Sequence, residues 1–337
     1  MHKRLQYLQY LQYLALKSSR SWLCLLLGLM AAALQAQTFP SKPMKLIAPY
    51  AVGGAADLMA RYVCEKFQQA SSFGQPCVVE NRTGAGGIIG MEAMLKADAD
   101  GHTLAMMPTN LAIIPGLYPK VPYDTLKDVA PIALVSSTPV MIGVHPAVPA
   151  KSFAELITWV RANEGKANFT TCGPASPQHL GGEILGVVAG MRWTHVPYKG
   201  CGAAMADVLS GTVPVFISTY AHFAPQIKAG KLRGLVMTGP RRSNFAPEYP
   251  TVIESGYAGY ELDVWFGMVG SARLPQSVQQ RLNAELNRVL QQPDLRDKLL
   301  SQQYEPVGGT AERFAEVIRS DIIRYTKVVR DIGIRPE

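Results

Sequence analysis

Negative charge is missing from the start of this sequence: none of its first 56 residues is acidic, and Asp57 is the first carboxylate. The sequence also has no Cys-x-x-Cys pair, no Gly-x-Ser-x-Gly elbow and no Gly-x-Gly-x-x-Gly after its first apolar strand. These absences argue against a closely spaced zinc site, an α/β-hydrolase and a dinucleotide-binding domain. We therefore expect neither a metal nor a cofactor.

Long apolar runs are missing as well, since no segment approaches the roughly 20 apolar residues that a membrane-spanning helix needs. The run at 22–34 is shorter, follows four basic residues, and ends at a small-residue stretch before Gln37. This arrangement is typical of a secretory signal peptide. We expect residues 1–36 to be a cleaved leader and the mature protein to be periplasmic.

The charge balance of the mature chain is mild. The whole sequence has 33 basic and 25 acidic residues, and removal of the leader leaves 29 against 25. Nucleic-acid binding needs a concentrated basic stripe, which this sequence does not show. The small positive excess favours an anionic small molecule, and nucleic acid is not an expected partner.

Strands and helices alternate along the chain in two series. The first has strands at 45–50, 77–80 and 102–107, with helices between them; the second has strands at 141–144, 168–171, 194–196, 215–218 and 232–238. Such alternation predicts parallel sheets covered by helices. An apolar strand at 262–269 is expected to return to the first series. The predicted division is lobe one at 37–140 plus 264–337 and lobe two at 141–263, with chain crossings near 139–141 and 263–265.

Glycine-rich corners follow the first two strands. The segment at 49–57 reads PYAVGGAAD, and the segment at 83–87 reads TGAGG. Each joins a strand to a helix start, where bare N–H groups and the helix dipole attract anions. Either corner alone could be a simple turn, but two in one lobe favour a carboxylate-binding cradle. Thr109 and Asn110 end the third strand and either line the same crevice or cap a helix.

The second series has comparable segments at its strand ends. Residues 170–180 read TTCGPASPQHL, residues 195–202 read HVPYKGCG, and residues 218–222 read STYAH. His179 is a candidate cleft residue, although the sequence identifies no catalytic partner for it and favours a packing or hinge-contact role. Tyr198 is expected to close over a ligand.

Four cysteines remain after the leader, and an even count in an exported protein favours disulfides. Cys172 and Cys201 follow strands expected to be parallel neighbours, so their Cα atoms come within bridging reach. Cys64 lies on the first helix and Cys77 begins the strand beneath it, which predicts a second bridge. Four buried thiols are the alternative, and a free Cys172 paired with His179 would allow a thiol enzyme.

Several ordered segments together resemble the substrate-binding proteins of tripartite tricarboxylate transporters, the Bug-type periplasmic receptors. They include PSKPMKLIAPYAVGGAAD at 40–57, VVENRTGAGGIIG at 78–90, LYPKVPYDTLKDVAPIAL at 117–134, HVPYKG at 195–200, IKAGKLRGL at 227–235 and PTVIESGYAGYELDVWFG at 250–267. The resemblance covers essentially the whole mature chain. It implies a type II periplasmic-binding-protein fold of two α/β lobes, with a ligand cleft and a two-strand hinge.

The resemblance also implies a function. A receptor of this kind captures a small carboxylate and delivers it to membrane transporter subunits; we expect a monomer and no enzymatic activity. The candidate ligand-binding residues are Val52, Gly53, Gly54, Ala55, Asp57, Gly84, Ala85, Gly86, Thr109, Asn110, Pro174, Ser176, His179, Tyr198 and Thr219.

This sequence departs from the family pattern near the expected cleft. Val52 stands where proline is usual, Cys172 and Cys201 replace small residues, and Ser218 stands where an acidic residue is expected. The identity of the ligand therefore does not follow from the resemblance. A sensor subunit feeding a signalling partner and an α/β hydrolase or thiol enzyme are the alternatives.

Overall fold

The computed structural model describes residues 39–70, 73–118, 120–173, 176–198 and 201–333. The predicted leader and its cleavage site, Pro174 and Lys199 lie outside the described residues. Residues from Lys42 onward form one compact unit. Among the described helices, none has the length and apolar character needed to cross a membrane.

The architecture is an α/β sheet packed with helices, and β9 runs antiparallel to its neighbours β3 and β4. The strands are Met44–Ala48 (β1), Cys77–Asn81 (β2), Thr103–Pro108 (β3), Val129–Val144 (β4), Asn168–Thr170 (β5), Thr194–Val196 (β6), Val215–Thr219 (β7), Arg233–Met237 (β8), Asp263–Ser271 (β9) and Glu305–Gly308 (β10). Their order is β2-β1-β3-β9-β4-β7-β5-β6, and β8 and β10 also pair with β4. The first-series pairs β2-β1-β3 and the second-series pairs β7-β5-β6 are parallel.

Helices cover both halves of this sheet. They are Ala55–Gln69 (α1), Ile88–Lys96 (α2), Asn110–Leu117 (α3), Thr125–Asp128 (α4), Phe153–Ala162 (α5), Pro177–Val188 (α6), Cys201–Leu209 (α7), Tyr220–Lys228 (α8), Gln276–Leu290 (α9), Pro293–Ser301 (α10) and Ala311–Ile332 (α11). A short 3-10 turn, Ala85–Gly87, precedes α2.

Strand β4 is the structural link between the two halves, and it is four times longer than the four-residue strand predicted at 141–144. Its residues 129–139 pair with β9, whereas residues 140–144 pair with β7 and β8. Pro131 and Pro139 interrupt the sequence pattern because proline has no N–H to donate. The structure accommodates Pro131 beside a register shift and places Pro139 opposite Asp263.

Four further elements were not predicted from the sequence: α3, α4, α10 and β10. Helix α3 contains Pro115, which normally signals the end of a helix. Its residues Leu111, Ala112, Ile113 and Ile114 are all buried, so apolar packing on every side stabilises a helix that local propensity disfavours.

Helix α11 packs against the return strand β9. Trp265 donates its indole N–H to Asp321 Oδ2 at 2.8 Å and meets the Phe314 ring edge-on at 5.2 Å between centroids. A Cβ on Gly267 would lie 2.1 Å from Phe314, so this helix can approach β9 only because residue 267 is glycine. These contacts fix the segment in which the chain returns to the first half of the sheet.

Candidate functional site

The first glycine corner is organised by the buried carboxylate of Asp57. Asp57 Oδ2 accepts hydrogen bonds from the Gly53 N–H and from Arg61 Nε, each at 2.9 Å, and Oδ1 accepts one from Asn81 Nδ2 at 2.9 Å. Burial raises the pKa of Asp57, but these hydrogen bonds from Arg61, Gly53 and Asn81 outweigh it, so the pKa lies below its usual value. Asp57 is therefore ionised, and its carboxylate stabilises the turn by accepting the Gly53 N–H.

The second corner consists of four consecutive residues with positive φ. The values are +129° at Gly84, +47° at Ala85, +63° at Gly86 and +109° at Gly87. Residues that have a Cβ atom rarely adopt positive φ, which explains why this segment is rich in glycine. The tight turn is closed by a hydrogen bond from the Gly87 N–H to the Gly84 carbonyl at 3.0 Å.

Tyr50 and Asn81 connect the two corners. The Tyr50 hydroxyl donates to the Gly86 carbonyl at 2.8 Å, and Asn81 Nδ2 donates to the Tyr50 carbonyl at 3.0 Å. Burial raises the pKa of the Tyr50 phenol above its usual range, so the hydroxyl keeps its proton. Neither residue was predicted to link the corners, because the partners in these hydrogen bonds lie 36 and 31 positions apart in the sequence.

The corners leave several backbone donors without a protein acceptor. Gly54 donates its N–H to the Ala51 carbonyl at 3.1 Å, so both Gly53 and Gly54 use their N–H groups within the turn. In the described part of the chain, the N–H groups of Ala55 and Ala56, at the start of α1, and those of Ala85 and Gly86 have no such partner. Val52 is 72% exposed at the tip of the first corner.

Thr109 and Asn110 lie at the end of β3. Thr109 is fully buried, and its hydroxyl oxygen accepts the Trp265 N–H at 2.9 Å. This hydroxyl joins β3 to β9. Asn110 begins α3 and is partly exposed, so of the two side chains only that of Asn110 is placed to reach a ligand.

The loop after β5 contains a network of hydroxyl and imidazole groups. The Thr171 Oγ1 atom lies 3.0 Å from His195 Nε2, and Ser176 Oγ donates to the Gly173 carbonyl at 2.7 Å while accepting the His179 N–H at 3.2 Å. Ser176 is thereby the N-cap of α6.

His179 stacks on His195. Their ring centroids are 3.8 Å apart with an interplanar angle of 19°, and His179 Nε2 lies 3.6 Å from Glu183 Oε1. Burial, together with the neighbouring His179, lowers the pKa of His195 to about 3, so His195 is neutral at physiological pH. The sequence motif HVPYKG contained His195, but only the fold brings it against His179.

Tyr198 points toward α7, where its hydroxyl donates a hydrogen bond to Asp207. This hydrogen bond raises the pKa of Tyr198 to about 12. Thr219 ends β7, and its hydroxyl lies 3.1 Å from His222 Nδ1; Ser218 Oγ lies 2.9 Å from the same nitrogen. Burial lowers the pKa of His222.

Both predicted disulfides are present. Cys172 and Cys201 are bonded with a Cα–Cα distance of 4.0 Å, and Cys64 and Cys77 with one of 5.0 Å. Strands β5 and β6 are parallel neighbours, which is the arrangement that predicted the first bridge. Because Cys172 is oxidised and His179 is stacked on His195, the structure does not support the thiol-enzyme alternative.

The candidate residues that the structure describes thus form two groups at the ends of strands. Val52, Gly53, Gly54, Ala55, Asp57, Gly84, Ala85, Gly86, Thr109 and Asn110 lie at β1, β2 and β3, and Ser176, His179, Tyr198 and Thr219 lie at β5, β6 and β7. Carboxyl ends of strands at such corners are the usual position of a ligand crevice in α/β folds. The first group offers backbone N–H donors and the second offers imidazole and hydroxyl groups, an arrangement suited to binding an anion.

Comparisons with known proteins identify the family to which this chain is related. The family model described as tripartite tricarboxylate transporter family receptor matches residues 59–334. The protein BugT of Bordetella pertussis is 33% identical over 308 residues, covering 91% of this chain and 94% of BugT.

Two solved structures have a similar fold. Rpa4515 of R. palustris with adipate matches with a TM-score of 0.78 at 28% identity, covering 89% of this chain and all of that one. MatC of Rhodopseudomonas palustris with bound malate matches with a TM-score of 0.75 at 27% identity, covering 86% of this chain and all of that one. The fold is the predicted two-lobed periplasmic-binding-protein fold, and the relatives are solute-binding receptors rather than enzymes. This chain belongs to the tripartite tricarboxylate transporter receptor family, a family of periplasmic proteins.

Proposed function

We propose that this chain captures a small organic acid in its cleft and delivers it to the membrane subunits of a tripartite tricarboxylate-type transporter. The observation that carries the proposal is the pair of corners tied together by Tyr50 and Asn81, in which the N–H groups of Ala55, Ala56, Ala85 and Gly86 have no acceptor among the described residues. N–H groups of this kind bind carboxylates through charge-assisted hydrogen bonds.

The ligand class is supported by the relatives. The R. palustris structures hold adipate and malate, both of them small carboxylates. We extend the class to this chain, but not either compound, because Cys172, Cys201 and Ser218 alter the second-half loops.

The cleft is proposed to lie between lobe one, 37–140 plus 264–337, and lobe two, 141–263. The change of strand partner within β4, between Pro139 and Val140, supports this division, and Asp263 opens β9 directly opposite Pro139. Closure about these two strands would bring the loops of Ser176, His179, Tyr198 and Thr219 onto a carboxylate held at the corners.

Export is the corresponding proposal for the leader. Cleavage before Gln37 would release the chain into the periplasm. Intact-mass measurement on protein from the periplasmic fraction checks this, and a chain that retains residues 22–34 would contradict it.

A thermal-shift screen of mono-, di- and tricarboxylates identifies the ligand, because a molecule that binds only the native state raises the unfolding temperature. Calorimetry on Gly86→Val then tests the corner. A Cβ at position 86 would lie 3.2 Å from the Tyr118 hydroxyl on a backbone with φ of +63°. Loss of one charge-assisted hydrogen bond, about 1.5–3 kcal/mol, weakens binding roughly tenfold or more.

Gly165→Val is the matched control. Gly165 also has positive φ, +79°, but a Cβ there meets nothing within 4 Å, and the residue precedes β5 at the opposite end of the strand. It should lose a similar amount of stability and keep its affinity. Unchanged affinity in folded Gly86→Val, or an equal loss in both variants, would count against the corner as the carboxylate site.

A further inference from the structure

Beside the second-half loops lies a cluster of two sulfurs and an imidazole. The ligating atoms of Cys172, Cys201 and His222 all lie within 4.8 Å of one another, and all three residues are partly exposed. Cys172 follows β5, Cys201 begins α7 and His222 lies in the first turn of α8. Three separate elements therefore converge on one point.

Ser218 completes this cluster. Its Oγ atom lies 3.2 Å from Cys172 Sγ and 2.9 Å from His222 Nδ1. The residue is fully buried at the end of β7, so its position is fixed by the sheet. An oxygen thus lies within reach of both the sulfur and the imidazole.

We propose that reduction of the Cys172–Cys201 disulfide converts this cluster into a binding site for a thiophilic cation such as Zn²⁺. A dithiol reductant supplies two electrons and two protons, breaks the S–S bond and is itself oxidised to a disulfide. The two thiols then release their protons as the cation binds two thiolates. Neutral His222 supplies the third ligand, and water or Ser218 Oγ occupies the fourth position.

The geometry suits such a site. Thiolate and imidazole are the preferred ligands of Zn²⁺, with bonds of about 2.0–2.3 Å, so tetrahedral ligands are separated by about 3.3–3.8 Å. The ligating atoms already lie within 4.8 Å of one another in the oxidised protein, and opening the disulfide separates the two sulfurs toward this spacing. Partial exposure of all three residues gives the reductant and the cation access.

The other disulfide serves as an internal comparison. Cys64 is 4% exposed, and Cys64 and Cys77 have no third histidine, cysteine or carboxylate grouped with them among the described residues. Reduction of this bridge yields two thiols without a metal site. If both disulfides are reduced, only the Cys172–Cys201 pair is expected to form a cation site.

Cobalt binding tests the proposal on the mature chain. The protein is reduced under anaerobic conditions with a phosphine, which does not compete for metal as a thiol would, and titrated with Co²⁺. We expect one Co²⁺ per chain, with thiolate-to-cobalt charge-transfer absorption and the d–d bands of tetrahedral Co²⁺, both displaced by Zn²⁺. The oxidised protein should show neither. Absence of the charge-transfer band in the reduced protein, whether or not it stays folded, overturns the proposal.

Three variants separate this site from non-specific binding. Cys64→Ser with Cys77→Ser should keep the spectrum, and Cys172→Ser with Cys201→Ser should abolish it. His222→Ala should weaken Co²⁺ binding by at least the tenfold to hundredfold that loss of an outer-shell partner costs, while its oxidised form keeps both disulfides. Binding that survives loss of Cys172 and Cys201, or that is indifferent to His222, would show that the cation binds elsewhere. None of these outcomes depends on carboxylate binding. The proposed cation site and the proposed carboxylate-binding function can therefore be contradicted independently of each other.

Discussion

At the scale of single residues, the glycine pair of the first corner has different hydrogen-bond partners from those that the sequence suggested. Gly53 and Gly54 were predicted to donate to a ligand, but they donate within the turn, to Asp57 and Ala51. The N–H groups left over belong to the next residues, Ala55 and Ala56. The glycines shape the corner, and the helix start presents the donors.

Tyr50→Phe tests whether the link between the corners matters for binding. The variant removes only the hydroxyl that donates to the Gly86 carbonyl at 2.8 Å. We expect a loss of about 1 kcal/mol in the free energy of unfolding and a several-fold weaker affinity for the ligand found in the screen, measured by calorimetry.

Tyr62→Phe is the control for this change. Its hydroxyl accepts a hydrogen bond from Gln302 Nε2 at 2.7 Å, on the side of α1 that faces the C-terminal elements. It should lose similar stability and keep the affinity. If both variants bind equally well, the hydroxyl of Tyr50 has no part in holding the corner.

At the scale of elements, helix α6 depends on two glycines in its second turn. A Cβ on Gly181 would lie 2.3 Å from Leu262, and one on Gly182 would lie 2.3 Å from the Phe169 ring. Tyr260 also donates its hydroxyl to the Gly181 carbonyl at 3.2 Å. These contacts seat α6, and with it Ser176 and His179, against both the second-half sheet and the segment that leads into β9.

Gly182→Ala should therefore destabilise the protein despite the higher helix propensity of alanine. The fully buried Phe169 ring packs on Trp193 and His195 and has little room to move. Overpacking of this kind costs roughly 1–3 kcal/mol. Urea unfolding provides the measurement.

The opposite sign is expected for Gly202→Ala. Gly202 lies in α7, and a Cβ there meets nothing within 4 Å. Alanine should stabilise this position by up to about 1 kcal/mol. Equal effects of the two substitutions would mean that packing at Gly182 is looser than the structure indicates.

The sequence predicted individual helices and strands better than it predicted which strands pair with one another. Alternating apolar runs and glycine corners located α1, β5 and β6 almost to the residue, because those signals are local. Strand β4 was missed over 129–140, since its prolines are tolerated only through β9, more than a hundred positions later. Tyr50 and His195 were missed as site-shaping residues for the same reason, because each acts through a partner distant in sequence.

At the scale of the whole molecule, the crossing between the halves contains a carboxyl group in an unfavourable setting. Burial raises the pKa of Asp263 to about 6; Glu261 and Asp321 add to the effect, and Arg324 and Arg241 oppose it. Asp263 forms the β9 side of the crossing, opposite Pro139.

Asp263→Asn should change how stability depends on pH. The unfolded chain releases this proton near pH 3.9, and the folded chain releases it only near 6. The stabilisation by the bound proton is therefore complete below about pH 4 and is lost as the pH rises to 6. One pKa unit corresponds to about 1.4 kcal/mol. The free energy of unfolding of the variant, relative to that of the wild type, should therefore increase by up to roughly 3 kcal/mol between pH 4 and 7.

The free energy of unfolding of the wild type is subtracted from that of the variant at each pH. This subtraction removes the contribution of His195, which titrates in both proteins. Asp331→Asn is a control of opposite sign. Hydrogen bonding to Lys327 lowers the pKa of exposed Asp331, so its stabilisation grows as the pH rises, and its loss should cost more at neutral pH. A difference between Asp263→Asn and wild type that stays constant over pH 4–7 would contradict a raised pKa at Asp263.

The position of β9 between β3 and β4 also dictates the order in which the chain can fold. Strand β3 ends at Pro108 and its partner begins at Asp263, so about 155 residues must emerge before the first-half sheet can close. At roughly 5–20 residues per second of synthesis, that interval lasts on the order of ten to thirty seconds. During it β3 and the long apolar β4 are open edges, which favour aggregation unless they are covered. The first half of the sheet therefore cannot reach its final form until Asp263–Ser271 is available to pair with β3 and β4.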